Sequence, residues 1–502
     1  MTTYLRPGVY VQETLNPISP LAGPSSNTVS ALVGANDRGP TVPTLVTSWG
    51  QYYNLFGSWN TVQSNNLPLA VNSYFQQTSA PLYVLRVTGS GAAAATRVFQ
   101  DTEGTPANTL AVSGLSAGTW GNNISVTITS NAVTGYFDLT VYYNGSVVES
   151  QWLQLTMTAS DPRYALNIVN GNSNYIVLAD SGSTATGATR NPAVQSTPVA
   201  LTSGSDGSAV TSTNITSALS AFDTIPQSLV MNVPGYTDAT TINNVIGYAT
   251  GSTRSNDVFV VIDGENDTVA NQLTLAASYT QTSQAAVYYP QITVSDPTIA
   301  VGGNRSATKT IGAGAAVAGL YAATDASRGI FKAPAGLQAR LAGTVSVPAL
   351  SNANLDALNS ASAPVNAIRY ISGSGIVVMG ARTLKPGYVD KYVPVRRSLI
   401  YIEKSLKDLT QFAIFEPNDA KLWARINASV SAFLTSFWGQ GGLTGSAPSQ
   451  AYFVICDATN NTPTTIDNGY VNIQVGVALQ RPAEFIVINI GQYSGGTTVT
   501  VS

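Results

Sequence analysis

Residues 393–457 read VPVRRSLIYIEKSLKDLTQFAIFEPNDAKLWARINASVSAFLTSFWGQGGLTGSAPSQAYFVICD. Leu399, Ile402, Leu406, Leu409 and Phe412 recur at helical spacing, as do Leu422, Ile426, Val430, Phe433 and Phe437. The stretch therefore predicts two amphipathic helices, each with one face to bury. Glycines from Gly439 to Gly442 stop the second helix. AYFVICD and the downstream NTPTTIDNGYVNIQVGVALQRPAEFIVINIGQ, residues 461–492, read as a small set of strands. Residues 386–492 form, on this reading, a small α+β unit.

Upstream, the pattern is strand, helix, strand. SALVGANDRGP gives a strand and turn, a helix is expected near Leu67 to Gln76, and PLYVLRV is a strand. The alternation returns as strand Ser228 to Val233, helix Ala239 to Tyr248, strand Val258 to Ile262, helix Val269 to Thr282 and strand Ala285 to Tyr289. Such a series implies parallel strands with right-handed crossovers. Residues 25–90 and 203–385 are expected to be one discontinuous α/β domain. Between them, residues 91–202 carry short β segments (Ile124 to Thr129, Phe137 to Tyr143, Gln151 to Met157, Tyr175 to Leu178) with an Asn144-Gly145 hairpin bend. They predict an inserted β-sandwich. The whole is an α/β (α+β multidomain) chain.

Residues 1–24 contain one strand-like piece, Gly8 to Gln12, among Pro7, Pro17, Pro20 and Pro24, and are expected to be an extended arm. A strand without a local partner adds to the edge of another sheet. Residues 493–502 alternate behind Gly495-Gly496 and make a second candidate arm.

Only 10% of residues are charged and the net charge is −3, so no basic footprint for nucleic acid or an anionic membrane is present. The chain has no histidine, which removes Ser-His-Asp and Cys-His nucleophilic sites and His-based zinc sites. The single cysteine, Cys456, excludes an internal disulfide and reads as a buried structural thiol. MTTYLRPGVYVQE lacks an apolar signal region, and no run approaches about twenty apolar residues. A cytoplasmic origin is expected.

Three features invite chemistry. Gly312-Ala313-Gly314 precedes an Ala-rich helix, but without a third spaced glycine or a clear strand before it, a helix-starting turn is the plainer reading. Asp257, Asp263, Glu265 and Asp267 flank VFVVI, where α/β enzymes place carboxylates, although loop caps explain them equally well. Arg396, Arg397, Glu403, Lys404, Lys407 and Asp408 concentrate charge on the first C-terminal helix, with Glu403 and Lys407 spaced for an i,i+4 pair.

The C-terminal blocks Arg396-Arg397, Phe415 to Asp419 (FEPND), Leu422-Trp423, Gly439 to Gly442, Cys456-Asp457, Asn461-Thr462-Pro463 and Pro482-Ala483-Glu484-Phe485 stand in one order. That order resembles the C-terminal domain of contractile tail sheath proteins of phages and related injection machines. PGVYVQE, GTWGNNISV, DASRGIFKAPAG and VNAIRYISGSGIVVMGARTL resemble further blocks of the same family, while TIGAGAAVAGLYAATD departs from it.

The resemblance implies a subtilisin-like core fold and a structural subunit of hexameric rings stacked helically around an inner tail tube. It also implies baseplate and tail terminator partners, no cofactor or metal, no nucleic-acid partner and no direct membrane insertion. The expected location is the virion tail sheath, with assembly in the host cytoplasm. Strand exchange between copies would use Val9, Tyr10, Val11, Gln12, Phe485, Val487, Val499 and Val501, and candidate tube-facing residues are Arg396, Arg397, Lys404 and Lys407. The competing reading is a tail-associated glycan-degrading protein with Asp263 and Glu265 as acid and base, or a glycan-binding one using residues 91–202.

Overall fold

The computed structural model describes residues 28–57, 67–254, 256–297, 307–385, 387 and 390–484. Strand-exchange candidates Val9, Tyr10, Val11, Gln12, Phe485, Val487, Val499 and Val501, and both expected arms, lie outside the described residues.

The largest sheet has eight strands. In chain order they are β1 (Val29–Ala35), β2 (Thr44–Val46), β3 (Leu82–Val87), β4 (Leu229–Asn232), β5 (Val258–Asp263), β6 (Ala285–Tyr289), β7 (Val365–Ile371) and β8 (Gly375–Val378). Their spatial order is β8-β7-β6-β5-β4-β1-β3-β2. The inner strands from β7 to β3 run parallel, and β8 and β2 close the two edges antiparallel.

Continuous apolar strands such as VFVVID in β5 are buried on both faces, as a parallel sheet covered by helices requires. Alternate residues feed opposite cores. Leu32, Val230, Phe259, Val261 and Tyr288 pack with α1 (Trp49–Phe56), α2 (Leu67–Phe75) and α5 (Gly314–Arg328). Ala31, Val33, Met231, Val260 and Val287 pack with α3 (Ala239–Thr250) and α4 (Val269–Ser278).

Between β3 and residue 212 the chain builds two antiparallel sheets, of four and three strands, that share one core containing Trp120, Ile128, Leu139 and Trp152. Asn144 (φ 50) and Gly145 (φ 77) both occupy the left-handed region, the turn that matches the twist of a two-residue hairpin. That turn starts its second strand directly after it, at Ser146–Leu155, earlier than the expected Gln151. The neck is a pair of reciprocal backbone bonds between Ala93 and Ser205, each 2.9 Å. Arg38 in the α/β core stacks its guanidinium 5.3 Å from the Trp120 ring and 5.0 Å from the Tyr175 ring, which ties the two units together.

The C-terminal unit contains α6 (Val393–Leu409), α7 (Ala420–Gly439), β9 (Tyr452–Ile455) and β10 (Gln474–Val477). Asp419 caps α7 by accepting from Lys421 N and Leu422 N. Leu422, Ile426, Val430, Leu434 and Phe437 form the buried stripe of α7, with Phe433 only half-buried at its margin. Helix α6 differs from the expected single apolar face. Val393 and Ile400 belong to the α/β core, while Ile402 belongs to the C-terminal core, so the helix is a shared wall. Counting apolar residues alone misses this, because its inner side also carries Arg397 and Ser405.

Candidate functional site

In open α/β sheets the ligand crevice lies outside the carboxyl ends of the strands. Here that crevice is filled from within. Asp263, the last residue of β5, is 1% exposed and accepts from Gly314 N at 2.7 Å, Gly235 N at 3.1 Å and Asn232 Nδ2 at 3.2 Å. Gly314 begins α5, so a carboxylate from the same chain satisfies a helix N-terminus where nucleotide-binding folds place a phosphate.

Burial pushes the Asp263 pKa up, and the three hydrogen bonds pull it only partly back. A Cβ on Gly312 would lie 2.0 Å from Asp263 Oδ2, and one on Gly314 would lie 2.3 Å from Asn232 Nδ2. Those glycines thus permit an internal carboxylate to approach. A short strand, Thr308–Ile311, does precede them, contrary to the sequence reading.

Glu265 accepts from the Thr237 hydroxyl, and its own backbone N–H donates to Gln272 Oε1 at 2.7 Å. The assignment of Asp263 and Glu265 as acid and base is therefore corrected: Asp263 is enclosed and serves as a helix cap. Among the described residues, no group of three or more Asp, Glu, Cys or His is placed to hold a metal ion. Cys456 is 1% exposed, and burial raises its thiol pKa.

Charge is instead concentrated at the seam between the α/β core and the C-terminal unit. Arg397 on α6 grips Asp325 on α5 with both guanidinium amino groups, one of them 2.9 Å from Oδ1, and lies 4.6 Å from the Tyr321 ring. Its side chain is 2% exposed. Arg396 is also buried, 3.7 Å from Glu403. Both arginines are thus buried within the chain rather than exposed, as the tube-facing expectation would need them to be: the helix they sit on is a wall between two cores.

Lys404 pairs with Asp408 at 3.3 Å, in place of the expected Glu403–Lys407 pair, and its side chain is only 14% exposed. Lys407 is exposed. Burial raises the Asp257 pKa, opposed first by Arg254 and then by Lys404 and Lys407.

A second clamp sits where the described chain ends. Arg382 Nε and Nη2 donate to Glu484 Oε1 and Oε2 at 2.8 and 2.7 Å, and Tyr392 Oη donates to Oε2 at 3.1 Å. Beside it, β9 and β10 form a sheet of two antiparallel strands among the described residues. The sheet rests on α7 through the Tyr452 and Thr435 hydroxyls, 2.6 Å apart. Two strands alone are a marginal sheet, and an open edge offers a row of backbone donors and acceptors. Sequence reasoning named Glu484 only as part of a motif, because its partner Arg382 is 102 residues away.

Fold and site together describe a multidomain α/β protein in which Asp263 and the start of α5 close the sheet crevice. Its similarities are narrower than that class. Residues 391–492 match the family model for the phage tail sheath C-terminal domain. The tail sheath protein of Vibrio phage KVP40 is 28% identical over 178 residues, covering 34% of this chain and 25% of that protein. The tail sheath protein of Enterobacteria phage T4 is 24% identical over 233 residues, covering 44% of this chain and 33% of that protein. The chain thus spans a quarter to a third of the length of the curated relatives it matches. A sheath complex of an extracellular contractile injection system, in its contracted state, shares the fold with a TM-score of 0.58 at 24% identity, covering 98% of this chain and 99% of that one. These relatives are structural tail sheath proteins, not enzymes.

Proposed function

We propose that this chain is the structural subunit of a contractile tail sheath, polymerising as a helical stack of hexameric rings around an inner tube and contracting to drive that tube through a target envelope. The observation that carries the reading is the two-stranded β9–β10 sheet, which lies inside the residues that match the sheath C-terminal domain. Strand-like segments at Gly8 to Gln12 and Val499 to Val501 supply candidates to extend such a sheet in an adjacent copy, together with Phe485 and Val487. A head-to-tail contact that does not close generates a filament. Exchanged strands keep copies linked while their bodies rotate between two arrays of one folded subunit.

In this reading the chain divides into an N-terminal arm (1–24), a subtilisin-like core (25–90 and 203–385), an outer β-sandwich (91–202), an inner polymerising unit (386–492) and a C-terminal arm (493–502). Its partners are other copies, the inner tail tube, the baseplate and the tail terminator, in the virion after assembly in the host cytoplasm. The closed crevice at Asp263 supports mechanical rather than enzymatic work. Energy is stored when assembly on tube and baseplate templates the extended array, so no nucleotide enters the scheme.

Electron microscopy of the concentrated full-length protein beside a version lacking residues 1–22 tests this. Hollow striated cylinders are expected from the full-length chain alone or with tube and baseplate added, and not from the truncation. Monodisperse full-length particles in the presence of tube and baseplate would refute the reading.

A further inference from the structure

A groove of about 600 Å³ runs along the seam of the two units. Its walls are mainly apolar and carry four aromatic side chains: Tyr83 beside Leu45 at the end of the sheet, Phe331 beside Ile330 in the loop after α5, Tyr401 from α6 and Phe437 from α7. Phe331 meets the Phe437 ring edge-on at 6.0 Å, and Tyr401 lies 5.6 Å from the same ring. Leu45 is 41% exposed, a large apolar side chain left in water. Asp325, the carboxylate in this wall, is already neutralised by Arg397.

Thr28 and Val29 belong to the same wall, so the chain upstream departs from the groove itself. That upstream chain, residues 17–27, reads PISPLAGPSSN, and no residue from 14 to 27 is charged. Prolines at positions 17, 20 and 24 favour the polyproline II conformation, which repeats every three residues and places Ile18, Leu21 and Pro24 on one side. Aromatic-lined grooves receive such helices at low entropic cost, because the ligand is stiff before it binds. At a rise of about 3.1 Å per residue, the seven residues from Leu21 to Thr28 would span roughly 22 Å as polyproline II.

We propose that residues 17–27 of the same chain lie in this groove as a polyproline II strap, with Ile18 and Leu21 against the aromatic wall. The strap bridges the α/β core and the C-terminal unit and sets the direction in which residues 9–12 leave the subunit. The docking itself does not depend on the sheath reading, since it is a property of the single subunit.

The test places the photo-cross-linker p-benzoylphenylalanine at Leu21 of the full-length chain. A mixture of isotopically light and heavy protein is irradiated, and cross-linked peptides are mapped by mass spectrometry. Cross-links to peptides holding Phe331, Tyr401 or Phe437, with both halves of one isotope, are expected. Mainly mixed-isotope products would give the groove to a second copy and overturn the assignment. Cross-links elsewhere, or none, would overturn the docking. Adding Ile18→Ser should cut the yield roughly tenfold, because it removes one of the three apolar side chains on that side; an unchanged yield would overturn the role of that face.

Discussion

Arg382 holds Glu484 through two parallel hydrogen bonds of 2.8 and 2.7 Å, joining the α/β core to the last described residue of the C-terminal unit. Arg382 is itself fixed by donating to Asn359 O at 2.7 Å, so the carboxylate meets a preorganised partner. Both side chains are mostly buried, at 17% and 22% exposure. Glu484→Gln should lower stability by about 1.5–3 kcal/mol, the range for losing a charge-assisted bond, read as a lower urea midpoint at unchanged m-value. An unchanged midpoint would mean that the clamp contributes nothing in solution.

The Arg397–Asp325 pair sits deeper. Arg397→Met leaves the Asp325 carboxylate without its cation at a packed seam and should cost about 3–5 kcal/mol. Arg397→Lys keeps the charge but loses the second bond and the planar stacking on Tyr321, so its midpoint should fall between those of wild type and Arg397→Met. Equal midpoints for the Lys variant and wild type would remove geometry from the explanation.

Asp263 predicts a pH dependence. Its folded pKa is raised above the ordinary carboxyl value, so the native state holds a proton that the unfolded chain has released across that window. Its contribution is complete below the unfolded pKa and is lost as pH rises through the folded one. Stability measured by urea unfolding from pH 4 to 7 should therefore fall less steeply with pH in Asp263→Asn than in wild type. Parallel curves would show that Asp263 does not titrate in that range.

Excision of the inserted unit should be tolerated. Ala93 and Ser205 exchange both backbone bonds at 2.9 Å, the geometry that flanks a two-residue hairpin loop. Replacing residues 94–204 by Asn-Gly should leave the eight-stranded sheet folded, at a cost of about 1–2 kcal/mol for the Arg38 contacts to Trp120 and Tyr175. Loss of cooperative unfolding by circular dichroism would show that the insertion is part of the core's folding unit.

Lys407 is the clean test of a tube-facing α6. Lys404 is held by Asp408, and reversing its charge would disturb the fold as well as any contact. Lys407→Glu, on an exposed side chain, should change subunit stability by less than about 0.5 kcal/mol and reduce sheath loading on tubes. Undiminished loading would remove Lys407 from the tube surface.

Much of the scaffold was legible in the chain. The βαβαβ run from Ser228 to Tyr289 shows as apolar strands alternating with helical periods, and β4, α3, β5, α4 and β6 fall within it. Asn144-Gly145 announced its hairpin because few other residues accept two successive positive φ angles. The candidate site was far less legible. Arg396 and Arg397 look like surface charge in a one-dimensional reading, and Asp263 looks like a catalytic carboxylate, because burial and partner are set by residues distant in the chain.

By itself, the sequence determined the local elements: hydrophobic period and turn chemistry such as Asn144-Gly145 act within a few residues and are written in consecutive positions. The absence of histidine also removed whole classes of catalysis before any fold was known. Only the tertiary structure decided that α6 is a wall between two cores, that Asp263 closes the crevice by capping α5, and that Asp325 and Glu484 are held by arginines 72 and 102 residues away. A charge is stable in the interior only when its partner is in place, and that partner is chosen by the packing of the whole chain.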